Sequence, residues 1–186
     1  MMQVGRSDSA RHGHGRDAGT VAIVSAGVLG ASFWAAYALG LRANLSSSLP
    51  LGLYRVDANA TGDLVEFCPA EPFGSLAKAR GYRHIGVCAD GGSPLLKPVV
   101  AHPGDAVTMS PEGVRVNGQL LPNSAPRSRD TAGRPLKPWP WGTYVLEPGT
   151  LWVLSSYHPG SFDSRYFGPI SESAVRDTLR PVLVVK

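Results

Sequence analysis

Asn44-Leu45-Ser46-Ser47-Ser48-Leu49-Pro50-Leu51-Gly52-Leu53-Tyr54 marks the point where this 186-residue chain changes character. Before it, from Thr20 to Leu41, runs an apolar stretch without a charged residue; after it, short apolar runs are separated by Gly and Pro. Three serines, a proline and a glycine so close to the end of the apolar stretch read as a shaped turn that presents a hydroxyl. A serine hydroxyl is a weak nucleophile until a positioned base takes its proton, so the turn raises the question of where that base lies.

Toward the N-terminus, residues 20–41 are long enough at about 1.5 Å per residue to cross a hydrocarbon core of about 30 Å as one helix. Trp34 and Tyr37 near its end suit a membrane interface. Arg6, Arg11 and Arg16 precede the span and Arg42 and Arg55 follow it, a bias that favours a cytoplasmic N-terminus and an external domain. Ala36-Tyr37-Ala38 has the small-x-small pattern of a signal-peptide cleavage site. The apolar run exceeds the roughly 7 to 15 residues usual in such peptides, which favours a retained anchor. Residues 1–19 lack apolar periodicity and read as a disordered cytoplasmic tail. His12 and His14 lie in that tail with nothing nearby to complete a metal site.

Toward the C-terminus, residues 42–186 read as one external domain. Leu51 to Val56, Asp63 to Phe67, Leu95 to Ala101 and Ala106 to Met109 read as strands. Val114 to Leu121 is a hairpin whose Asn117-Gly118 pair supplies the two positive φ values of a type I′ turn. Phe73 to Arg80 reads as a short helical insertion, and residues 122–142, rich in proline and basic side chains, as an extended loop. Tyr144 to Leu146, Leu151 to Ser155 and Leu179 to Val185 complete the strands. With Gly 22, Pro 16 and modest charge, the chain reads as mainly β, an antiparallel, barrel-like sheet assembly carried on one N-terminal transmembrane helix.

The net charge of +4 comes from Lys and Arg scattered along the chain, with no basic stripe interleaved with aromatics, so no nucleic-acid partner is expected. Cys68 and Cys88 fall in the external part, where an oxidised pair closing a loop of about 20 residues would contribute roughly 3 kcal/mol. Two separate buried thiols are the other reading.

The candidate base is in Pro94-Leu95-Leu96-Lys97-Pro98-Val99-Val100-Ala101. A lysine flanked by apolar residues in a short strand either reaches water or loses its charge, because desolvation disfavours the ammonium form. Paired with Ser48, a neutral Lys97 amine would be a competent general base; a surface lysine on a half-exposed strand is the plain alternative. A Ser-His-Asp triad is the other route to an activated serine, with His84, His102 or His158 and Asp105 or Asp163. No serine sits in a Gly-x-Ser-x-Gly elbow. No Cys/His spacing suggests zinc and no Gly-rich loop suggests a phosphate cradle, so neither metal nor cofactor is expected.

Three stretches occur together and in order: the Ser-x-Pro segment after the span, Leu96-Lys97-Pro98-Val99-Val100-Ala101-His102-Pro103-Gly104-Asp105, and Ser161-Phe162-Asp163-Ser164-Arg165-Tyr166-Phe167-Gly168. This conjunction resembles the signal peptidase I (S26) family of Ser/Lys endopeptidases. Within that family it is most similar to the conjugative-transfer peptidases of the TraF type. Ser48 to Tyr54, Cys68-Pro69 with Cys88, Gly113 to Gly118, and Ser161 to Ile170 carry that closer resemblance, which covers roughly residues 20–186.

The resemblance implies Ser48 as nucleophile and Lys97 as general base. It implies that Ser46, with the backbone N–H at the nucleophile, holds the oxyanion, and that Ser161 orients the lysine amine. Asp163 and Arg165 would brace the site as an ion pair, and in the TraF-type enzymes this aspartate is functionally required. Ser47 competes with Ser48 on spacing from Pro50, but the Ser-x-Pro register selects Ser48. Pro98 stands where the family usually has arginine, so the strand is expected to be an edge, or locally unpaired, at that point.

The implied activity is that of a membrane-anchored serine endopeptidase, single-pass in the inner membrane with a periplasmic catalytic domain. It would process, and in one version cyclise, a conjugative pilin precursor, with other conjugation or type IV secretion components as further partners. The alternatives are a general type I signal peptidase for exported proteins and a non-catalytic structural component of a conjugation apparatus.

Overall fold

The structure, a computed structural model, describes residues 14–59 and 63–185; residues 1–13 of the expected tail, His12 among them, lie outside the described residues. The chain forms two units, the N-terminal helix and a β domain beginning at Leu41. Helix α1 (His14–Ala38) starts within the stretch read as tail. Once an apolar helix is nucleated, adding a polar turn costs one residue's ordering per hydrogen bond gained, so the helix extends past the apolar run. Its segment Thr20–Ala38 has a mean hydropathy of 1.7 and is long and apolar enough to cross a membrane. The helix stops at Ala38, Gly40 turns the chain at φ 78°, and Leu41, expected as the end of the span, opens the first strand.

The domain contains β1 (Leu41–Asn44), β2 (Leu51–Val56), β3 (Leu64–Phe67), α2 (Phe73–Ala79) and β4 (Leu95–Ala101). There follow β5 (Ala106–Ser110), β6 (Gly113–Val116), β7 (Gln119–Leu120), β8 (Gly142–Val145), β9 (Thr150–Val153), α3 (Ser164–Phe167), β10 (Ile170–Ser171) and β11 (Val175–Val185). Among the described residues they form two antiparallel sheets, one of seven strands in the order β1-β2-β11-β3-β4-β9-β10 and one of four in the order β7-β6-β5-β8. The mainly β, antiparallel architecture expected from the sequence is the one adopted. The larger sheet is strongly coiled: Arg42 on β1 reaches Glu66 on β3 at 3.0 Å and Asp177 on β11 at 3.2 Å, although β1 and β3 are not neighbours.

Each sheet covers its own apolar cluster. The larger cluster gathers Val65, Phe67, Leu95, Val99, Val153, Phe162 and Phe167, and the smaller one Val107, Met109, Val114, Trp152 and Leu154. β4 and β9 contribute to both, so they run along the seam between them. The β6–β7 hairpin turns through Asn117 at φ 49° and Gly118 at φ 85°, as the Asn-Gly pair dictates. Gly52 on β2 has φ 146°, and a Cβ there would lie 2.1 Å from the carbonyl oxygen of Leu183, so only glycine lets β2 pair with β11 at that register. Cys68 and Cys88 are joined by a disulfide that brackets α2.

Candidate active site

Lys97 occupies the middle of β4, where residues alternate between a fully buried and a half-buried face. Leu95, Lys97, Val99 and Ala101 take the buried face, and Leu95 and Val99 belong to the larger core cluster. A lysine in that position cannot reach water along the strand, and its residue is only 4% exposed. Its Nζ donates to the hydroxyl of Ser161 at 2.9 Å. Burial pulls the amine's pKa from 10.5 down to about 8; nearby Asp163 opposes the shift and Arg165 adds to it. The half-exposed surface reading of this lysine therefore fails on the strand's own register.

Ser48 sits in the loop that joins β1 to β2, strands that pair antiparallel from Leu41↔Arg55 to Asn44↔Gly52. It is buried, Ser47 beside it is exposed, and its hydroxyl lies 2.8 Å from that of Ser46. Loop carbonyls are captured one by one: Tyr54 donates its phenol to Pro50 at 2.7 Å, and Ser155 donates its hydroxyl to the carbonyl of Ser48.

Ser155 connects the two candidates. Beyond β9, the N–H of Leu154 donates to the carbonyl of Pro98, next to Lys97, at 3.0 Å. The next residue, Ser155, holds Ser48 by its side chain and donates its own N–H to Asp163 Oδ2 at 3.1 Å. Two consecutive residues thus tie the serine loop and the lysine strand to one segment.

The profile described as "Signal peptidase, peptidase S26" matches residues 17–183. The chain belongs to the S26 signal peptidase family. It is 42% identical over 151 residues to an Escherichia coli plasmid transfer protein TraF, covering 79% of this chain and 84% of that protein. A probable conjugal transfer protein TraF of Sinorhizobium fredii is 37% identical over 169 residues, 88% of this chain and 86% of that one. A conjugal transfer protein TraF of Agrobacterium tumefaciens is 40% identical over 148 residues, 77% and 82% of the two chains. Among solved structures, a signal peptidase I from Enterococcus faecalis covers 67% of this chain and is itself covered over 99%, at a TM-score of 0.36 and 20% identity.

In this S26 peptidase the segment Ser161 to Phe167 is a compact bracing element. Asp163 caps α3, accepting from the backbone N–H of Arg165. Both side chains are fully buried, and Arg165 meets the carboxylate through Nε and Nη2, each at 2.7 Å. The remaining guanidinium hydrogens go to the carbonyls of Asn123, Pro159 and Ser161, so all five donors of Arg165 are used. A buried ion pair of this kind is tolerable only because every lone pair and proton is satisfied. Its bond to the Ser161 carbonyl fixes the residue whose hydroxyl holds Lys97.

The histidine alternatives are placed differently. His84 and His102 are exposed, and the ring of His158 accepts from the N–H of Gly160. Asp163, offered as a triad member, has both oxygens committed to Arg165 and to Ser155.

Pro98 resolves as a local gap. β3 pairs with β4 from Leu95 to Pro98, whereas β9 pairs only with Val99 and Ala101. The side of Leu95 to Lys97 away from β3 has no strand partner among the described residues. The missing proline N–H thus falls where ladder pairing with β9 is just starting.

Sequence reasoning passed over three residues of this site. Ser164, inside the last box, accepts from the N–H of Val153 at 3.0 Å and pins α3 to β9. Ser155 carries no local signal, since its place depends on the register of β9 against β4. Asn44 was readable as an amide at the head of a serine-rich turn, a residue type that bonds to its own backbone.

Proposed function

We propose that this S26 peptidase is a membrane-anchored serine endopeptidase that uses Ser48 and Lys97 to process a pilin precursor of a conjugation apparatus. The observation that carries the reading is Lys97: a core-facing lysine whose amine is pulled down to about 8 and aligned by the Ser161 hydroxyl. Kinship with the TraF transfer proteins supports a peptidase-type role in conjugation.

In this reading the neutral Lys97 amine takes the proton as Ser48 Oγ attacks a peptide carbonyl carbon. The oxyanion is held by the hydroxyl of Ser46 and the backbone N–H of Ser48, donors of a kind worth about 10²- to 10³-fold in rate each. The C–N bond then breaks, the Lys97 ammonium returns its proton to the leaving amine, and an acyl-enzyme ester on Ser48 remains. Water, or the amino terminus of the substrate itself, attacks that ester and releases a linear or a cyclic product. The open side of Leu95 to Lys97 offers backbone for an extended substrate to add as a strand. With the N-terminal tail cytoplasmic and residues 42–186 in the periplasm, α1 would anchor the enzyme in the inner membrane beside its membrane-borne precursor. Sharing one membrane raises their effective concentration.

The test is the intact mass of a candidate pilin precursor co-expressed with wild type, Ser48→Ala or Lys97→Ala. Loss of terminal residues with wild type alone is the expected result, and a further loss of one water identifies ring closure. An unchanged precursor, alongside trimming of ordinary exported proteins, would make the enzyme a general signal peptidase.

A further inference from the structure

We propose that Asn44 is a positioning residue that holds the Ser46 hydroxyl ready for the oxyanion; the proposal rests on the Ser48–Lys97 reading above. Asn44 ends β1, a position where an amide has poor strand propensity, and it is buried. Its Nδ2 donates to the carbonyls of Ser46, Leu49 and Pro50 at 3.0, 3.2 and 3.1 Å. Its Oδ1 accepts from the Ser46 N–H at 3.2 Å and from the Ser46 hydroxyl at 3.1 Å. The whole hydrogen-bonding capacity of the amide is spent on the loop that carries Ser48.

Three carbonyls face one end of the amide, so that end is the NH₂ group and the other end can only accept. The Ser46 hydroxyl is within donating distance of Asn44 Oδ1 at 3.1 Å and lies 2.8 Å from the Ser48 hydroxyl, a contact in which either hydroxyl can donate. When Lys97 takes the proton of Ser48, the Ser46 O–H can turn from Asn44 to the oxyanion. Asn44 Oδ1 keeps the Ser46 N–H and is not left unsatisfied, so the switch carries no buried-acceptor penalty.

The test uses the full chain in detergent micelles and a quenched-fluorescence peptide spanning the precursor's processing site. It compares wild type, Asn44→Ala, Asn44→Asp, Ser46→Ala and Asn44→Ala combined with Ser46→Ala. Ser46→Ala is expected to lose about 10²-fold in kcat. Asn44→Ala is expected to lose at least about tenfold in kcat, with KM within about twofold and the acid limb of the pH profile unmoved. The double variant should be no slower than Ser46→Ala by more than about twofold, because the two residues act as one unit. Asn44→Asp keeps the size and the acceptor while losing the amide donors, and should show the same non-additivity with Ser46→Ala. Wild-type kcat in Asn44→Ala, or losses that multiply in the double variant, would overturn the proposal. So would loss of cooperative melting in both Asn44 variants, which would make Asn44 a structural residue of the hairpin. A wild type that neither cleaves the peptide nor forms an acyl-enzyme at Ser48 would instead sink the dyad reading, and this proposal with it.

Discussion

The amine of Lys97 and the hydroxyl of Ser161 meet at 2.9 Å beneath the surface, between a strand interior and a segment braced by a fully used arginine. A hydroxyl both donates and accepts, so Ser161 can hold the lysine in either protonation state. A carboxylate in its place would stabilise the ammonium and oppose loss of its proton.

Activity should follow the Lys97 amine. Below pH 8 the amine is protonated and cannot serve as base, so kcat/KM should rise about tenfold per pH unit there and level off above. Stability gives an independent readout with its own sign. An unfolded lysine keeps its proton up to its ordinary 10.5 while the folded one releases it near 8, so between these values the unfolded state binds more protons. Wild type should therefore gain stability with rising pH across that window relative to Lys97→Met, measured by denaturant unfolding at fixed pH values. A flat difference between the two proteins would contradict the assignment.

Replacing Ser161 separates orientation from bulk. Ser161→Ala should lower kcat about tenfold or more with little change in KM, and Ser161→Thr, which keeps the hydroxyl, should recover most of it. Equal activity in Ala and Thr variants would remove Ser161 from the orienting role.

Asp163→Asn tests the electrostatics of the brace. The carboxylate of Asp163 raises the Lys97 pKa and Arg165 lowers it, so neutralising the aspartate should move the acid limb of the pH–rate profile below 8. The same change strands a buried guanidinium and should cost about 3–5 kcal/mol of stability. A limb that stays in place or rises would show that the amine does not sense this pair.

Removing the disulfide should cost stability and spare chemistry. Cys68→Ser with Cys88→Ser opens a loop whose ends are 20 residues apart, worth roughly 3 kcal/mol in the loop-entropy model. Melting should fall accordingly, while kcat at 25 °C stays within about twofold.

The elements read correctly from sequence were those fenced by punctuation. β2 is bounded by Pro50 and Asp57 and β4 by Pro94 and the Pro103-Gly104 pair, and both ran between the residues expected. β1 was hidden because Leu41 continues the apolar run and Asn44 is a poor strand former. The first four residues of β11, Val175 to Thr178, include the charged Arg176 and Asp177, whose partners Glu66 and Arg42 lie far off in sequence. Lys97 shows the limit most clearly. Both faces of Leu95 to Ala101 are apolar enough to be buried, and only the sheet's registration decides which one meets the core.

The most direct measurement is the site of acylation. Full-length protein at pH 8.5 would be treated with an activated peptide ester, its intact mass read, and the adduct located by peptide mapping. One acyl group on Ser48 in wild type, absent in Lys97→Ala under the same conditions, is the predicted result. An adduct on Ser47 or Ser161, or undiminished acylation of Ser48 without Lys97, would contradict the Ser48–Lys97 account.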